Sequence, residues 1–269
     1  MNFNGQTVVI TGGATGIGFA LAKQFGMRGA RLAIGEPSEQ RLESAASALR
    51  SLGFEVVVQE MDVTDVDSIA SFADFVETQF GRTDILINNA GVSLPPGRMF
   101  KKSISEVRAL FDVNVFGVWQ CAAEFGQRMI AREEPARIYN VGSENSFFNA
   151  APGMTAYIAS KHAVRGLTEA MAEDVPDFIK VGLICPGFVK SELTPPPFGD
   201  LAMNADQFAE IVLTQIEAGE FYIVSHAYNI ERIKPVHAAI EAAYEKYAPR
   251  YEGDKEFDVR ELINRSRRS

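Results

Sequence analysis

Short apolar runs rich in valine and isoleucine alternate along this chain with longer stretches in which apolar residues recur every three or four positions. The short runs have the pattern of strands covered on both faces, and the longer ones that of amphipathic helices. Candidate strands lie at 7–10, 31–35, 55–59, 85–88, 137–141, 181–184 and 221–224, and helical periodicity runs through 38–51, 66–80, 104–131, 155–174 and 205–218. Such alternation predicts an α/β fold, a doubly wound (Rossmann-like) seven-stranded parallel sheet with helices on both faces. Little room is left for a second domain, so 1–269 is expected to be one domain with a helical extension from about 226. Pro195-Pro196-Pro197 breaks regular structure after the sixth strand. Pro235 is placed to open a last helix, whose Val236, Ile240, Tyr244 and Tyr247 form one stripe for packing on the core or a partner subunit.

With 269 residues, 46% of them hydrophobic, the chain can bury one large core. A net charge of −9 argues against nucleic acid as a partner. No apolar run approaches the ~20 residues that span a bilayer, and the N-terminus enters a strand without a basic segment and apolar stretch. The expectation is a soluble, cytoplasmic protein without a membrane partner. Cys121 and Cys185 cannot form a disulfide framework, and no Cys/His spacing suggests a metal.

Chemistry enters at the first strand-to-helix turn, Thr11-Gly12-Gly13-Ala14-Thr15-Gly16-Ile17-Gly18. Gly12, Gly16 and Gly18 let backbone approach a pyrophosphate, and the helix N-terminus offers amide donors. The bland alternative is a tight turn that needs glycine. Glu36, at the end of the second strand, is placed to hold the adenosine ribose hydroxyls. A 2′-phosphate there would meet a carboxylate, and no arginine occupies positions 14, 15 or 37. NAD is therefore favoured over NADP, unless Glu36 is only a solvated loop carboxylate.

Tyr157 and Lys161 stand four apart, on one helix face. A free phenol, with a pKa near ~10, is a poor base at neutral pH. An ammonium ~4 Å away is worth ~4 kcal/mol at a dielectric of ~20, enough in principle to bring the phenol close to ~7. The pair could then exchange protons with a carbinol oxygen. Taken alone, the spacing fits two adjacent surface residues equally well.

The chain as a whole resembles the short-chain dehydrogenase/reductase family, in its single-domain branch. The resemblance rests on the glycine run, Asp62-Val63, Asn88-Asn89-Ala90-Gly91, Asn114 in Val-Asn-Val, Ser143, Tyr157, Lys161 and Pro186-Gly187, in the family's order over about 6–191. It implies a dinucleotide-binding and catalytic domain, with Thr15 and Ile17 joining the glycines at the cofactor. Asp62 would bond the adenine and Val63 stack near it, while Asn89, Ala90 and Gly91 would line the channel. Pro186, Gly187 and Val189 would lie against the nicotinamide, with Ser191 where the family often has threonine. Ser143 would bind the substrate oxygen, Tyr157 would transfer its proton, and Lys161 would hold the nicotinamide ribose and acidify Tyr157. Asn114 would keep a water linking Lys161 to solvent.

Departures from the family pattern are small: Gly142 replaces a frequent second serine, and Ser143 precedes Tyr157 by one residue more than is commonest. Phe147, Phe148, Met154 and Phe188 are candidates for an apolar substrate pocket, or else ordinary core. The C-terminal part loosely resembles aryl-ether Cα-dehydrogenases. Together these residues point to an NAD-dependent oxidation of a secondary alcohol, hydrophobic or aromatic, to the ketone. The alternatives are an NADP-dependent carbonyl reductase and a non-catalytic dinucleotide sensor on the same fold. The family resemblance further implies a homo-oligomer, tetramer or dimer, built on 104–131 and 155–174.

Overall fold

A computed structural model of the chain describes residues 3–194 and 198–266. The triple-proline run at 195–197 lies outside the described residues. Seven strands form one parallel sheet: β1 (Thr7–Thr11), β2 (Arg31–Glu36), β3 (Val56–Glu60), β4 (Ile85–Asn88), β5 (Ala136–Val141), β6 (Ile179–Cys185) and β7 (Tyr222–Val224). Their order is β3-β2-β1-β4-β5-β6-β7. The helices between them are α1 (Gly16–Met27), α2 (Glu39–Ser51), α3 (Val66–Phe80), α4 (Ile104–Phe111), α5 (Val118–Arg132), α6 (Thr155–Asp174) and α7 (Ala205–Ala218). By its contacts the chain divides into a unit ending at His226 and a second beginning at Ala227. The second holds α8 (Asn229–Tyr247) and α9 (Val259–Ser266).

Alternation along each strand sends neighbouring side chains to opposite faces, which explains the all-apolar runs. Val8 and Ile10 join a core with Phe25, Leu32 and Phe208, on the α1 and α7 side. Val9, between them, joins Phe72, Leu86 and Phe125 on the α3 and α5 side. All are fully buried or nearly so, and each such side chain is worth about 1.5–3 kcal/mol by its burial. Among the described residues, no helix is long and apolar enough to cross a membrane.

A buried polar ladder crosses this apolar interior. Asn88 Nδ2 donates to Asn140 Oδ1 at 2.8 Å, and Asn140 Nδ2 donates to Thr168 Oγ1 at 3.0 Å. Thr168 in turn donates to the Val164 carbonyl at 2.6 Å. The ladder ties β4, β5 and α6 together beneath the C-terminal strand ends.

Two sequence expectations fail. The stretch 104–131 is not one helix: α4 ends at Phe111, a π-helical turn spans Asp112–Gly117, and α5 follows. The wider turn carries Asn114, which is fully buried. Its side-chain amide donates two hydrogen bonds and accepts a third, which offset the poorer local geometry, a common device where a helix passes a functional site. Pro235 does not open its helix but lies inside α8. There its ring removes the bond that an N–H would have made to the Glu231 carbonyl, and the following turns continue regardless. Val236, Ile240, Tyr244 and Tyr247 are exposed, and no residue of α8 is buried. A unit of this size is too small to enclose a core of its own.

Thr168→Val keeps the shape of the side chain but leaves the Asn140 amide without its acceptor. The expected loss is roughly 1–3 kcal/mol of folding stability, with little change at the strand ends. Denaturant midpoints of the two proteins check it; equal midpoints would show the ladder to be energetically idle.

Candidate active site

The sheet winds one way from β1 to β3 and the other way from β4 to β7, so β1 and β4 are neighbours whose crossovers leave on opposite sides. A crevice opens at the carboxyl ends of the strands at such a switch point. Here it is a cleft of about 410 Å³, running from Glu36, Arg41 and Asp62 to Ser143, Tyr157 and Lys161.

The floor of the cleft is the turn between β1 and α1. Gly12 and Gly16 have φ of 60° and 53°, a left-handed backbone that only glycine adopts without strain. A Cβ on Gly12 would stand 2.9 Å from the Ala90 Cα, and one on Gly16 would stand 3.2 Å from the Ser191 Cβ. Thr15 places no side-chain cap over the first turn of α1. Its amides are left for an anion lying on Thr15, Gly16 and Ile17, which all line the cleft. Gly18 does not face the cleft. It is buried, and a Cβ there would lie 2.5 Å from Asn89 Nδ2 and from the Gly12 carbonyl oxygen. Its glycine is required by packing. Asn89 Nδ2 donates to the Thr11 and Gly12 carbonyls at 3.0 and 2.8 Å, clamping the turn to β4. A bare-backbone floor, open helix amides and a buried Glu36 at one end fit a dinucleotide.

The remaining cofactor candidates, Asp62, Val63, Asn89, Ala90, Gly91, Pro186, Gly187, Val189 and Ser191, all line the same cleft. Asp62 Oδ1 accepts from the Thr64 N–H at 2.9 Å and from its hydroxyl at 2.8 Å. Burial is the main cause raising the Glu36 pKa, opposed by the neighbouring Arg41.

At the other end, Ser143 follows β5 and faces Tyr157 and Lys161 on α6. Ser143 Oγ accepts from the Asn145 N–H at 3.1 Å and from Asn145 Nδ2 at 3.3 Å. Asn145 Oδ1 accepts from the Ala150 N–H at 3.0 Å, which fixes the orientation of the amide. With two donors already on its oxygen, the Ser143 hydroxyl proton is directed away from them. Sequence reasoning missed Asn145, because a polar residue in a loop carries no periodic or spacing signal. A Cβ at Gly142 would stand 2.7 Å from Ser146 Oγ. Ser146 Oγ accepts from the Ser143 N–H at 3.2 Å and donates to the Lys161 carbonyl at 2.8 Å.

Lys161 is buried and donates from Nζ to the Val141 carbonyl at 2.8 Å. Its Nζ stands 5.6 Å from the centroid of the Tyr157 ring. The two side chains alone do not bring the phenol near neutrality. Burial pushes Tyr157 up to about 12; the Ser143 hydrogen bond pulls it down, and the Glu144 carboxylate pushes it up. Burial also brings Lys161 down to about 8, still largely cationic at neutral pH. Desolvation outweighs the attraction expected from helical spacing, because the lysine turns to a carbonyl. Asn114 does not line the cleft. Its Oδ1 accepts from the Val92 N–H at 2.8 Å, and its Nδ2 donates to the Val92 carbonyl at 3.0 Å and to Ser160 Oγ at 3.1 Å.

Of the apolar pocket candidates, Met154 and Phe188 line the cleft. Phe147 instead meets Tyr222 edge-on at 5.8 Å, beneath the Arg165 guanidinium at 4.9 Å. Phe148 is buried away from the cleft. Through Phe147 the loop before α6 packs on Tyr222 of β7. Arg41 and Glu144 are cleft residues that spacing did not single out.

Asn145→Asp retains the acceptor for the Ala150 amide but, when ionised, has no proton for Ser143. Turnover is expected to fall about 10-fold or more at neutral pH and to recover partly at acid pH, with dinucleotide affinity unchanged. A pH profile of kcat beside a binding titration separates this from a general structural loss. Full turnover at neutral pH would show Ser143 to be oriented without the amide.

Comparison with known proteins agrees with this geometry. The family profile described as short chain dehydrogenase matches residues 6–199. The chain is 30% identical over 235 residues to a 1-deoxy-11-beta-hydroxypentalenate dehydrogenase of Streptomyces avermitilis, across 84% of this chain and 87% of that one. It superposes with a TM-score of 0.84 and 28% identity on a short chain dehydrogenase/reductase from Burkholderia phymatum in complex with NAD, covering 90% of this chain and 96% of that one. For the apo form of LigD from Sphingobium sp. strain SYK-6 the TM-score is 0.80 at 28% identity, covering 93% of this chain and 100% of that one. A seven-stranded doubly wound sheet, a glycine turn at its switch point and a match over most of the chain lead to one conclusion: this protein belongs to the short-chain dehydrogenase family.

Proposed function

We propose that this oxidoreductase transfers a hydride between the carbinol carbon of a secondary alcohol and NAD, giving the ketone. The observation that carries the reading is one cleft holding the glycine turn and Glu36 at one end and Ser143, Tyr157 and Lys161 at the other. The dinucleotide, when bound along that floor, supplies the hydride acceptor. Ser143 donates to the substrate oxygen and holds it beside Tyr157. Tyr157, as phenolate, takes the hydroxyl proton and, as phenol, returns it in the reverse direction. Lys161 stays cationic, holds the ribose, and with a cationic ligand in the cleft favours the phenolate against its burial. Asn114 acts at one remove, by fixing Val92 and Ser160 beside the reacting end.

Met154, Phe188 and Leu193 at the cleft support a hydrophobic or aromatic alcohol. The relative named as a hydroxypentalenate dehydrogenase supports the same class. Glu36, buried at the end of β2, and the relative crystallised with NAD support NAD over NADP. Exposed Ile104, Phe116 and Trp119 support a homo-oligomer, a tetramer or dimer, through this helical face. Sedimentation should give a multiple of the chain mass; a concentration-independent monomer would remove that part of the proposal.

Tyr157→Phe should lower turnover about 10²–10⁴-fold in both directions while leaving dinucleotide affinity unchanged. Because oxidation needs the phenolate and burial raises the phenol pKa, wild-type oxidation should accelerate as pH rises. Ketone reduction needs the phenol and should slow over the same range. Unaltered turnover in the variant across a panel of hydrophobic secondary alcohols would sink the acid–base assignment.

A further inference from the structure

β6 and β7 run side by side, with Leu183 opposite Tyr222, Ile184 opposite Ile223 and Cys185 opposite Val224. β7 is the edge of the sheet, and α7 holds its outer side. Gln215 Nε2 donates to the Val224 carbonyl at 2.7 Å, and Gln215 Oε1 accepts from the Val224 N–H at 2.9 Å. Both strands end at that pair. Beyond it the segment 186–188 forms a wall of the cleft, which Pro186, Gly187 and Phe188 line. One end of the wall is tied to the reacting turn, where the Glu144 N–H donates to the Pro186 carbonyl at 2.7 Å. The other end meets His226, two residues past β7 and half-buried.

His226 Nε2 stands 3.3 Å from the Phe188 carbonyl oxygen, and Nδ1 stands 2.8 Å from Ser225 Oγ. A carbonyl only accepts, so Nε2 carries a hydrogen and donates it, and in the neutral ring Nδ1 accepts from the Ser225 hydroxyl. The Phe188 carbonyl also accepts from the Met203 N–H at 2.9 Å, so three segments of the chain converge on it. A Cβ on Gly187 would stand 2.5, 2.6 and 2.9 Å from the His226 Cγ, Nδ1 and Cδ2. The imidazole therefore fills the space that any side chain at 187 would need. His226 itself does not line the cleft. We propose that His226 is a positioning residue, which fixes the Gly187–Phe188 wall and through it the nicotinamide end of the dinucleotide. The inference rests on the reading of the cleft as a dinucleotide site with this segment against the nicotinamide. β7 keeps its bonds to β6 and Gln215 without the imidazole, so loss of His226 acts on the wall and not on the sheet.

The test compares direct binding of NADH and of ADP-ribose, which lacks the nicotinamide, to the full-length protein, with thermal melts to report folding. His226→Phe keeps a ring but has no donor. It should weaken NADH about 10-fold and leave ADP-ribose unchanged. His226→Gln, whose amide nitrogen can take the place of Nε2, should restore most of the loss. Gly187→Ala should also weaken NADH, by driving the ring from its place, and should cost nothing further when combined with His226→Ala. The proposal is overturned if folded His226→Phe binds NADH as wild type does, if NADH and ADP-ribose weaken together, or if His226→Gln restores nothing. Where His226→Phe does not fold, Gly187→Ala decides by the same comparison: loss of NADH alone supports the clamp, and any other result removes it. If wild type takes only the 2′-phosphorylated forms of the two ligands, the NAD reading fails and the variants are judged with those forms. Wild type that binds neither ligand in either form overturns the dinucleotide reading and this proposal with it.

Discussion

The reversal of winding between β1 and β4 is the constraint on which the rest of this molecule depends. Two adjacent parallel strands whose crossovers leave on opposite faces cannot both be covered at their carboxyl ends, so a crevice must open there. Every group assigned to the proposed chemistry sits on an element that ends at this crevice: the turn after β1, Glu36 closing β2, Ser143 after β5, and the α6 face with Tyr157 and Lys161. The apolar cores on either face hold the strand ends in register and leave the polar work to loops. Asn88, Asn140 and Thr168 bring buried hydrogen bonds up to the edge of that region, where a wholly apolar interior would specify register less strictly.

Polar groups at the reacting end are arranged through their neighbours as much as by their own positions. Asn145 loads the oxygen of Ser143 from one side, and Ser146 ties the Ser143 backbone to α6. Asn114, raised out of regular helical geometry by the π turn, fixes the Val92 backbone to Ser160. These contacts fix rotamers before any ligand arrives, which is how a site avoids the entropic cost of ordering its groups during a reaction. Burial opposes ionisation of both Tyr157 and Lys161. The proposed proton transfer therefore draws on the charge of whatever enters the cleft, and the free pair is held short of full activation.

The two ends of the cleft also differ in how charge is handled. At the reacting end one cation, Lys161, is buried and bonded to a carbonyl. At the Glu36 end a half-exposed guanidinium, that of Arg41, is shared between two carboxylates of unequal exposure. Shared charge of that kind can be redistributed by a ligand at little structural cost, whereas the buried lysine cannot be moved without disturbing β5 and α6.

Strand and helix alternation, the parallel sheet, the glycine turn and the spacing of Ser143, Tyr157 and Lys161 were all legible in the sequence. Each depends on local periodicity or on residue types that a local geometry demands. The β-branched runs could only be strands covered on both faces, and a left-handed turn such as that at Gly12 and Gly16 calls for glycine. What the tertiary structure decided was how residues remote in sequence meet. Helical periodicity ran unbroken through 104–131, because a single wider turn at Asn114 leaves the apolar pattern intact on both sides. Phe147 looks like a pocket residue until Tyr222 of β7 is placed against it, and Gly18 looks like a phosphate glycine until Asn89 is packed against it. Arg41, Glu192 and Asn145 carry no periodic signal; their roles come from distances across the cleft, which chain order does not encode. Burial, too, is a tertiary quantity, and its upward push on Tyr157 outweighs the attraction that spacing led one to expect from Lys161: a four-residue spacing fixes which face two side chains share, but not whether water or protein surrounds them.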